Sequence, residues 1–502
     1  MIGIRLNTNY DQVRKEYLAC LNETLENLFS HFPTKTSSTQ DFYASVRAMS
    51  NWGRYPWRKF EVDKKVVTFR VVAPHLFLLP FYIFESIIYL TIKYFQYRPY
   101  KQFRRTLQMN KEIAFYSPSH HLKEFTDSSV NGFWGEVKYL SEEITDEGLW
   151  CLVPYKGPNT SHAQLAAEIK KIQVSSRVAV FPLASLLNLK LLGSAITSII
   201  RAHLILLKML FELTKSGDCL IEDSLIQRNT FGRYFAQTEL NRHLIDTQLN
   251  LMKKLRHSVA LMEGQSWEIS LLINAKKRDI GCHSVIHTPL RENDSQVLNY
   301  FLNFRNVPLH FYLSSVLCPG ESSIHKLVSL GMDQNKILLV EAQRFTQKNT
   351  LNKHKFDPRS NRILYVADAN DDNTQFFFHE LSNFQDNSNF EFFIQPHPTT
   401  KIDEARQSMV WSSSHFQSWC LVIFGPETSA FLQFEFSESN SYFLNKEESI
   451  KMQSPLRCIS SLSQISSARN LPNALASNFK NVVNQDNEFP LWGAMVNELL
   501  KK

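Results

Sequence analysis

The segment from Val259 to His287 limits the possible folds more than any other. VALMEG (259–264) is a short apolar run closed by Glu263-Gly264, SWEISLLINAKKRDI follows with helical character, and GCHSVIH (281–287) is apolar again. Strand, helix and strand in that order demand a parallel pair with a crossover helix. From about residue 306 the rhythm repeats. Strand candidates are 308–315, 336–342, 362–368, 390–396, 421–426 and 441–445, with helical patterns such as ESSIHKLVSLGM between them. RHLIDTQLNLMKKLRH (242–257) reads as a helix and LWCLVPY (149–155) as a strand. The pattern predicts an α/β chain of two Rossmann-like domains, 1–305 and 306–502, divided near the polar stretch RENDSQ (291–296). FPLWGAMVNELLKK reads as a terminal amphipathic helix.

With 502 residues, 43% of them hydrophobic, the chain exceeds one ordinary core and suits two. Fifteen glycines against 37 phenylalanines exclude a linker-rich or disordered protein. The seven cysteines are scattered and form no CxxC pair, which predicts free thiols in a reducing compartment. MIGIRLNTNYDQVRKEY lacks the apolar region of a signal peptide, so a cytoplasmic chain is expected.

Two stretches are unusually apolar. LFLLPFYIFESIIYLTI (76–92) approaches a spanning length but contains Pro80 and Glu85, and a basic aromatic tail follows to about 105. In 178–213, Lys190, Arg201 and Lys208 fall on one helical stripe beside a wide apolar face. A pair of buried helices is one reading. Helices lying on the cytoplasmic face of the inner membrane are the second, and a transmembrane span, disfavoured by Pro80 and Glu85, is the third. The net charge of +7, with Arg98, Lys101, Arg104 and Arg105 clustered early, suits an anionic membrane surface; no zinc knuckle or RNA-binding signature points to nucleic acid.

In doubly wound domains ligands bind past the carboxyl ends of strands. FFIQPHPTT ends a strand in His397 between Pro396 and Pro398, a stiff turn that aims an imidazole at a phosphate, or merely ends the strand. FGPETSA places Thr428 and Ser429 at a helix start, where hydroxyls cap the helix or hold an anion. Glu263 closes its strand, and Gly264 lets a ligand approach the backbone. Glu268 opens the next helix, where its charge suits the dipole. His283 and His287 share a strand face, but no further ligand group accompanies them and no metal site is predicted. The chain has no dinucleotide fingerprint, P-loop or GxSxG.

Taken together, the carboxylate-glycine turn, the His-Pro turn and the later Thr-Ser pair resemble bacterial GT-B sialyltransferases and polysialyltransferases, and more closely surface-carbohydrate proteins that transfer nonulosonic acids such as pseudaminic or legionaminic acid. FWGE (133–136), EGQSWE and the run 318–345 share that character. The resemblance implies a GT-B fold, two Rossmann-like domains facing a central cleft, with the acceptor on the N-terminal side and the nucleotide sugar on the C-terminal side. It implies inverting transfer from a CMP-activated donor, with no cofactor or metal, to a glycan or lipid-linked acceptor of capsule, lipopolysaccharide or another surface polysaccharide. Glu263 would be the base, and His397 with Pro398 would contact the departing CMP phosphate. Thr428 and Ser429 would hold that phosphate, and Arg344 joins the nucleotide-binding group with Gly264 and Glu268. Met262 departs from the pattern, standing where a second acid is often found, which leaves Glu268 as an alternative base. UDP-sugar epimerases or transferases, glycerophosphate transferases, and a non-catalytic scaffold of polysaccharide assembly are the rival readings.

Overall fold

The computed structural model describes most of residues 64–119, 148–222, 232–340 and 355–425, together with 441–444 and 457–459. Its centre is a sheet of seven strands: β1 (Ile113–Pro118), β2 (Gly148–Val153), β3 (Ala179–Pro182), β4 (His257–Leu261), β5 (Gly281–Val285), β6 (Ser315–Pro319) and β7 (Ile337–Val340). Every pairing is parallel, and the spatial order is β7-β6-β5-β4-β1-β2-β3. Read from β1 outward, this is the 3-2-1-4-5-6 order of a dinucleotide-type Rossmann sheet with a seventh strand added. The sequence accounts for it: IAFYSP and GLWCLV are buried at every position, as expected of strands covered on both faces. Phe115 and Trp150 are register partners on β1 and β2, and their rings stack at 4.3 Å.

The helices around this sheet are α1 (Phe69–Gln96), α2 (His162–Ser175), α3 (Leu189–Ser216), α4 (Arg233–Leu251), α5 (Ser266–Lys276) and α6 (Glu321–Ser329). Helix α5 is buried from Ser266 to Ala275, so its apolar residues run right round the helix. The predicted unit β4-α5-β5 forms with parallel register, His257 opposite Gly281 through Leu261 opposite Val285.

A second sheet holds β8 (Arg362–Val366), β9 (Glu391–Gln395), β10 (Leu421–Phe424), β11 (Ser441–Leu444) and β12 (Arg457–Ile459), again all parallel, in the order β9-β8-β10-β11-β12. Helix α7 (Asp371–Asn383) connects β8 to β9. The order is the other doubly wound arrangement, 2-1-3-4-5. Each sheet has its own apolar core. The chain is α/β with two successive Rossmann-like sheets, as expected.

Three expectations are corrected. A boundary at 305 fails, because β6 and β7 pair onto β5 and carry the first sheet to Val340. Residues 309–312 form a 3-10 turn, so the strand expected over 308–315 begins only at Ser315. The apolar stretch 178–213 is not one helix: Ala179–Pro182 is β3, a 3-10 turn covers Leu183–Leu186, and α3 starts at Leu189. A fully buried parallel strand and a buried helix have the same continuous apolar composition, and only the pairing with β2 separates them. The terminal helix expected over FPLWGAMVNELLKK lies outside the described residues.

Candidate active site

In the first sheet the strand order reverses between β1 and β4. Connections leave in opposite directions there, which opens a crevice beyond the carboxyl ends of those two strands. The chain leaves β1 through Ser119 and leaves β4 through Met262 and Glu263. Glu263 therefore sits at the switch point.

The turn that holds it is closely determined. The Met262 amide donates to Val285 O at 2.8 Å, which extends the sheet by one bond. Gly264 then takes φ +66°, a left-handed conformation that strains any residue with a Cβ. Gln265 is extended and caps α5. Glu268, in the first turn of α5 and 2% exposed, folds back on this loop. Its Oε2 accepts from the Glu263 amide at 2.9 Å, the Gln265 amide at 3.3 Å and the Tyr300 hydroxyl at 2.8 Å. The hydrogen bond from the cap residue's own amide is the return half of a capping box. Its Oε1 is buried without a hydrogen-bond partner among the described residues. Burial, and then the charge of Glu263, push the Glu268 carboxyl well above the usual range, against the lowering effect of its three donors. Burial thus favours the protonated form of Glu268, whose carboxyl braces the loop.

The Glu263 side chain is half-buried and accepts from Gln265 Nε2. Gln265 Oε1 in turn accepts from Trp267 Nε1, and the Trp267 side chain is fully buried. The orientation of the Glu263 carboxylate is thus set by an amide that is itself oriented by a core indole. Of the two carboxyls that the sequence leaves as candidate bases, Glu263 is the one with access to the crevice. Gln265, Trp267 and Tyr300 were not anticipated; the segment QSW directly after Glu-Gly was the available signal for the first two.

Across the crevice, Ser119 Oγ donates to Tyr155 O at 2.6 Å. The Tyr155 hydroxyl accepts from Asn241 Nδ2 at 3.0 Å, and Asn241 Oδ1 accepts from Gln237 Nε2 at 2.8 Å. Gln237 Oε1 takes the Tyr89 hydroxyl of α1 at 2.5 Å. The IAFYSP strand that delivers Ser119 was not recognised as a strand, although its unbroken apolar-aromatic run marks it as one.

In the second sheet the order reverses between β8 and β10. Ala367 N donates to Gln395 O and Gly425 N to Val366 O, each at 2.9 Å, so Ala367, His397 and Gly425 lie along one edge. His397 is half-buried, two residues past β9. Its strand is not central among the described residues: β9 ends the order of five, bordered there only by a bridge from Ile394 to Val410. Its exposed Glu391 and single fully buried residue, Ile394, are the burial pattern of an edge. His397 flanks the switch point, while Gly425 opens onto it. Pro398, Thr428, Ser429, Arg344 and FWGE (133–136) lie outside the described residues.

His283 is committed elsewhere. Its Nε2 is 3.1 Å from His257 Nδ1 and its Nδ1 is 2.8 Å from Ser315 Oγ. His257 opens β4, at the opposite end from Glu263. Burial, and then the neighbouring His257, hold His283 down at about 3. Among the described residues no group of three or more His, Cys, Asp or Glu is placed to hold a metal, and His287 is outside them.

No protein-family model matches the sequence, and no curated protein matches it. Solved structures that align with the fold include the UDP-GlcNAc 2-epimerase from Methanocaldococcus jannaschii, at 10% identity over 78% of this chain and 99% of that one, with a TM-score of 0.35. The UDP-N-acetylglucosamine 2-epimerase from Rickettsia bellii aligns at 10% identity over 78% and 96%, with a TM-score of 0.40. The wall teichoic acid polymerase TagF aligns at 9% identity over 86% and 96%, with a TM-score of 0.38. Likeness at this level transfers no substrate and no residue role to this chain.

Proposed function

We propose that the chain is a GT-B glycosyltransferase that uses a nucleotide-activated sugar, with a CMP-activated nonulosonic acid as donor and a glycan of a surface polysaccharide as acceptor. The observation that carries this reading is the asymmetry of two carboxyls in one turn at the switch point. Glu263 is half-buried and oriented by a fixed amide at the crevice, while Glu268 is buried, pushed towards its protonated form and engaged with the loop behind it. Paired carboxyls in environments this different take different roles. The choice of donor rests on the resemblance of the Glu-Gly, His-Pro and Thr-Ser turns.

In this scheme Glu263 removes a proton from the acceptor hydroxyl as its oxygen attacks the anomeric carbon. The bond to the CMP phosphate breaks on the opposite face, and the configuration inverts. His397 donates a hydrogen bond to the departing phosphate, and Pro398, Thr428 and Ser429 complete its cradle. Gly264 admits the acceptor close to the backbone. Arg344 supplies a cation to the nucleotide. The scheme asks protein donors, rather than a metal, to stabilise the leaving group.

The test is a thermal-shift titration with CMP, UDP, GDP and CDP-glycerol. A ligand confined to the folded state stabilises it by about 2.7 kcal/mol at a hundredfold excess over Kd. A shift with CMP alone supports the proposal. A shift with UDP moves the reading to an epimerase or UDP-sugar transferase, and one with CDP-glycerol to glycerophosphate transfer. No shift with any of the four moves it to a non-catalytic scaffold.

A further inference from the structure

Helix α1 has two faces of opposite character. On one, Tyr82, Ser86 and Leu90 recur every four residues and are buried, and Tyr97 just beyond the helix continues the line. This face packs on α3 and α4. Glu85 lies so close to Gly232, which caps α4, that a Cβ there would overlap its carboxylate. The single acid of the helix is therefore turned towards the amino-terminal end of α4, where the dipole favours it.

The other face is uncovered. Phe77, Phe81, Phe84, Ile88, Ile92 and Phe95 are all exposed, Phe77 by 85% and Phe84 by 61%. Their spacings of four, three, four, four and three residues draw one continuous stripe. It runs for about 27 Å at 1.5 Å per residue. Scattered exposed phenylalanines are ordinary, but a contiguous apolar stripe marks an interaction surface.

Charge identifies the partner. Directly after the helix, the 3-10 turn Arg98–Thr106 exposes Arg98, Lys101, Arg104 and Arg105. The Arg98 guanidinium sits 4.4 Å over the Phe95 ring and the Lys101 ammonium 4.8 Å over Tyr94, so the cations begin where the stripe ends. From 69 to 106 the only acid is Glu85. Helix α3, packed beside α1, exposes Lys190, Arg201 and Lys208 together with Leu204 and Phe211. A second copy docking through the same stripe and turn offers these cations no acid except the engaged Glu85. An anionic lipid surface offers both an apolar layer and phosphates.

We propose that α1 docks in the plane of an anionic phospholipid bilayer, its phenylalanines among the acyl chains and the Arg98–Arg105 cluster at the lipid phosphates. Leu76–Gln96 is long and apolar enough to cross a membrane by length and composition. The buried face argues against crossing: it is committed to α3 and α4, where the Glu239–Arg242 ion pair within α4 is hydrogen-bonded to Ser198 of α3. The inference is independent of the reaction.

The test is flotation of the full chain with vesicles of phosphatidylcholine, alone or with about one third phosphatidylglycerol, at low and high salt. Binding is expected to the anionic vesicles and to weaken at high salt. Each basic residue near such a surface contributes about fivefold in affinity, so Arg98→Gln, Lys101→Gln, Arg104→Gln and Arg105→Gln together predict a loss on the order of a hundredfold or more. Phe81→Ser, Phe84→Ser and Ile88→Ser together predict a loss of at least about tenfold with an unchanged melting temperature, because the side chains are exposed. Absence of binding to anionic vesicles overturns the proposal. So does binding that the serine variant retains, or a dimer formed without lipid that the same variant abolishes.

Discussion

The amide of Glu263 donates to the carboxyl of Glu268 at 2.9 Å, so the residue facing the crevice is held through its main chain by the residue buried behind it. The same Glu268 oxygen accepts from Tyr300, which comes 32 positions later in the chain. Strand end, helix start and a distant tyrosine are thus joined at one oxygen. The site is built on elements that are rigid because they are buried, the arrangement that keeps a reacting group in place.

Glu263→Gln keeps the shape of the side chain and removes the proton acceptor. Transfer is expected to fall by about a hundredfold to ten-thousandfold, the usual contribution of a general base. Donor affinity and melting temperature are expected to stay near wild type, because Glu268 binds the main-chain amide and not the Glu263 side chain. Single-turnover rates with a thermal melt on the same samples check this; unaltered turnover removes Glu263 from the chemistry.

Glu268→Gln tests the braced acid through pH. The folded-state carboxyl titrates well above its ordinary value of 4.5. The favourable contribution of its proton is fully present below the unfolded value and is lost as pH rises towards the raised folded value. Wild-type stability should therefore decline over that window, while an amide at 268 cannot titrate and removes this part of the slope. Denaturation at a series of pH values from about 4 upward measures it. Parallel curves for the two proteins contradict a neutral buried acid.

The place of Glu263 at a strand end was legible in the sequence, and the reasons for the misses are specific. Glu263-Gly264 at the end of an apolar run reads directly as a strand end, because glycine marks the turn. The role of Glu268 does not, since its burial depends on Tyr300, and a residue in the first turn of a helix is ordinarily a solvated partner of the dipole. Strands β6 and β7 read correctly as strands, but a parallel strand's sequence carries no record of which sheet it joins. Strand β3 was hidden because VAVFP runs without a polar break into the apolar helix behind it. His397 was visible by its two prolines, whereas the position of its strand at the end of the described order shows only in the pairing.

Gly264→Ala isolates the backbone. With φ at +66°, a Cβ costs about 1–2 kcal/mol in the left-handed region. Relief of that strain rotates the peptide that carries Glu263, so activity is expected to fall further than stability. Chemical denaturation gives the first quantity and kcat the second. A fall in stability with full activity shows that the turn does not position the carboxylate.

His397→Ala separates leaving-group stabilisation from folding. The side chain is half-buried beyond an edge strand, so its removal leaves the core of Ile363, Tyr365, Phe377 and Ile394 intact. Loss of one donor to a developing charge costs about a hundredfold to a thousandfold in turnover. Because the proposed contact is to the phosphate, the deficit should shrink for donors with a better leaving group than CMP, whereas a deficit from misfolding would be the same for all. A series of donors that differ only in the acidity of the leaving phosphate distinguishes the two, and an equal loss across the series excludes His397 from that step.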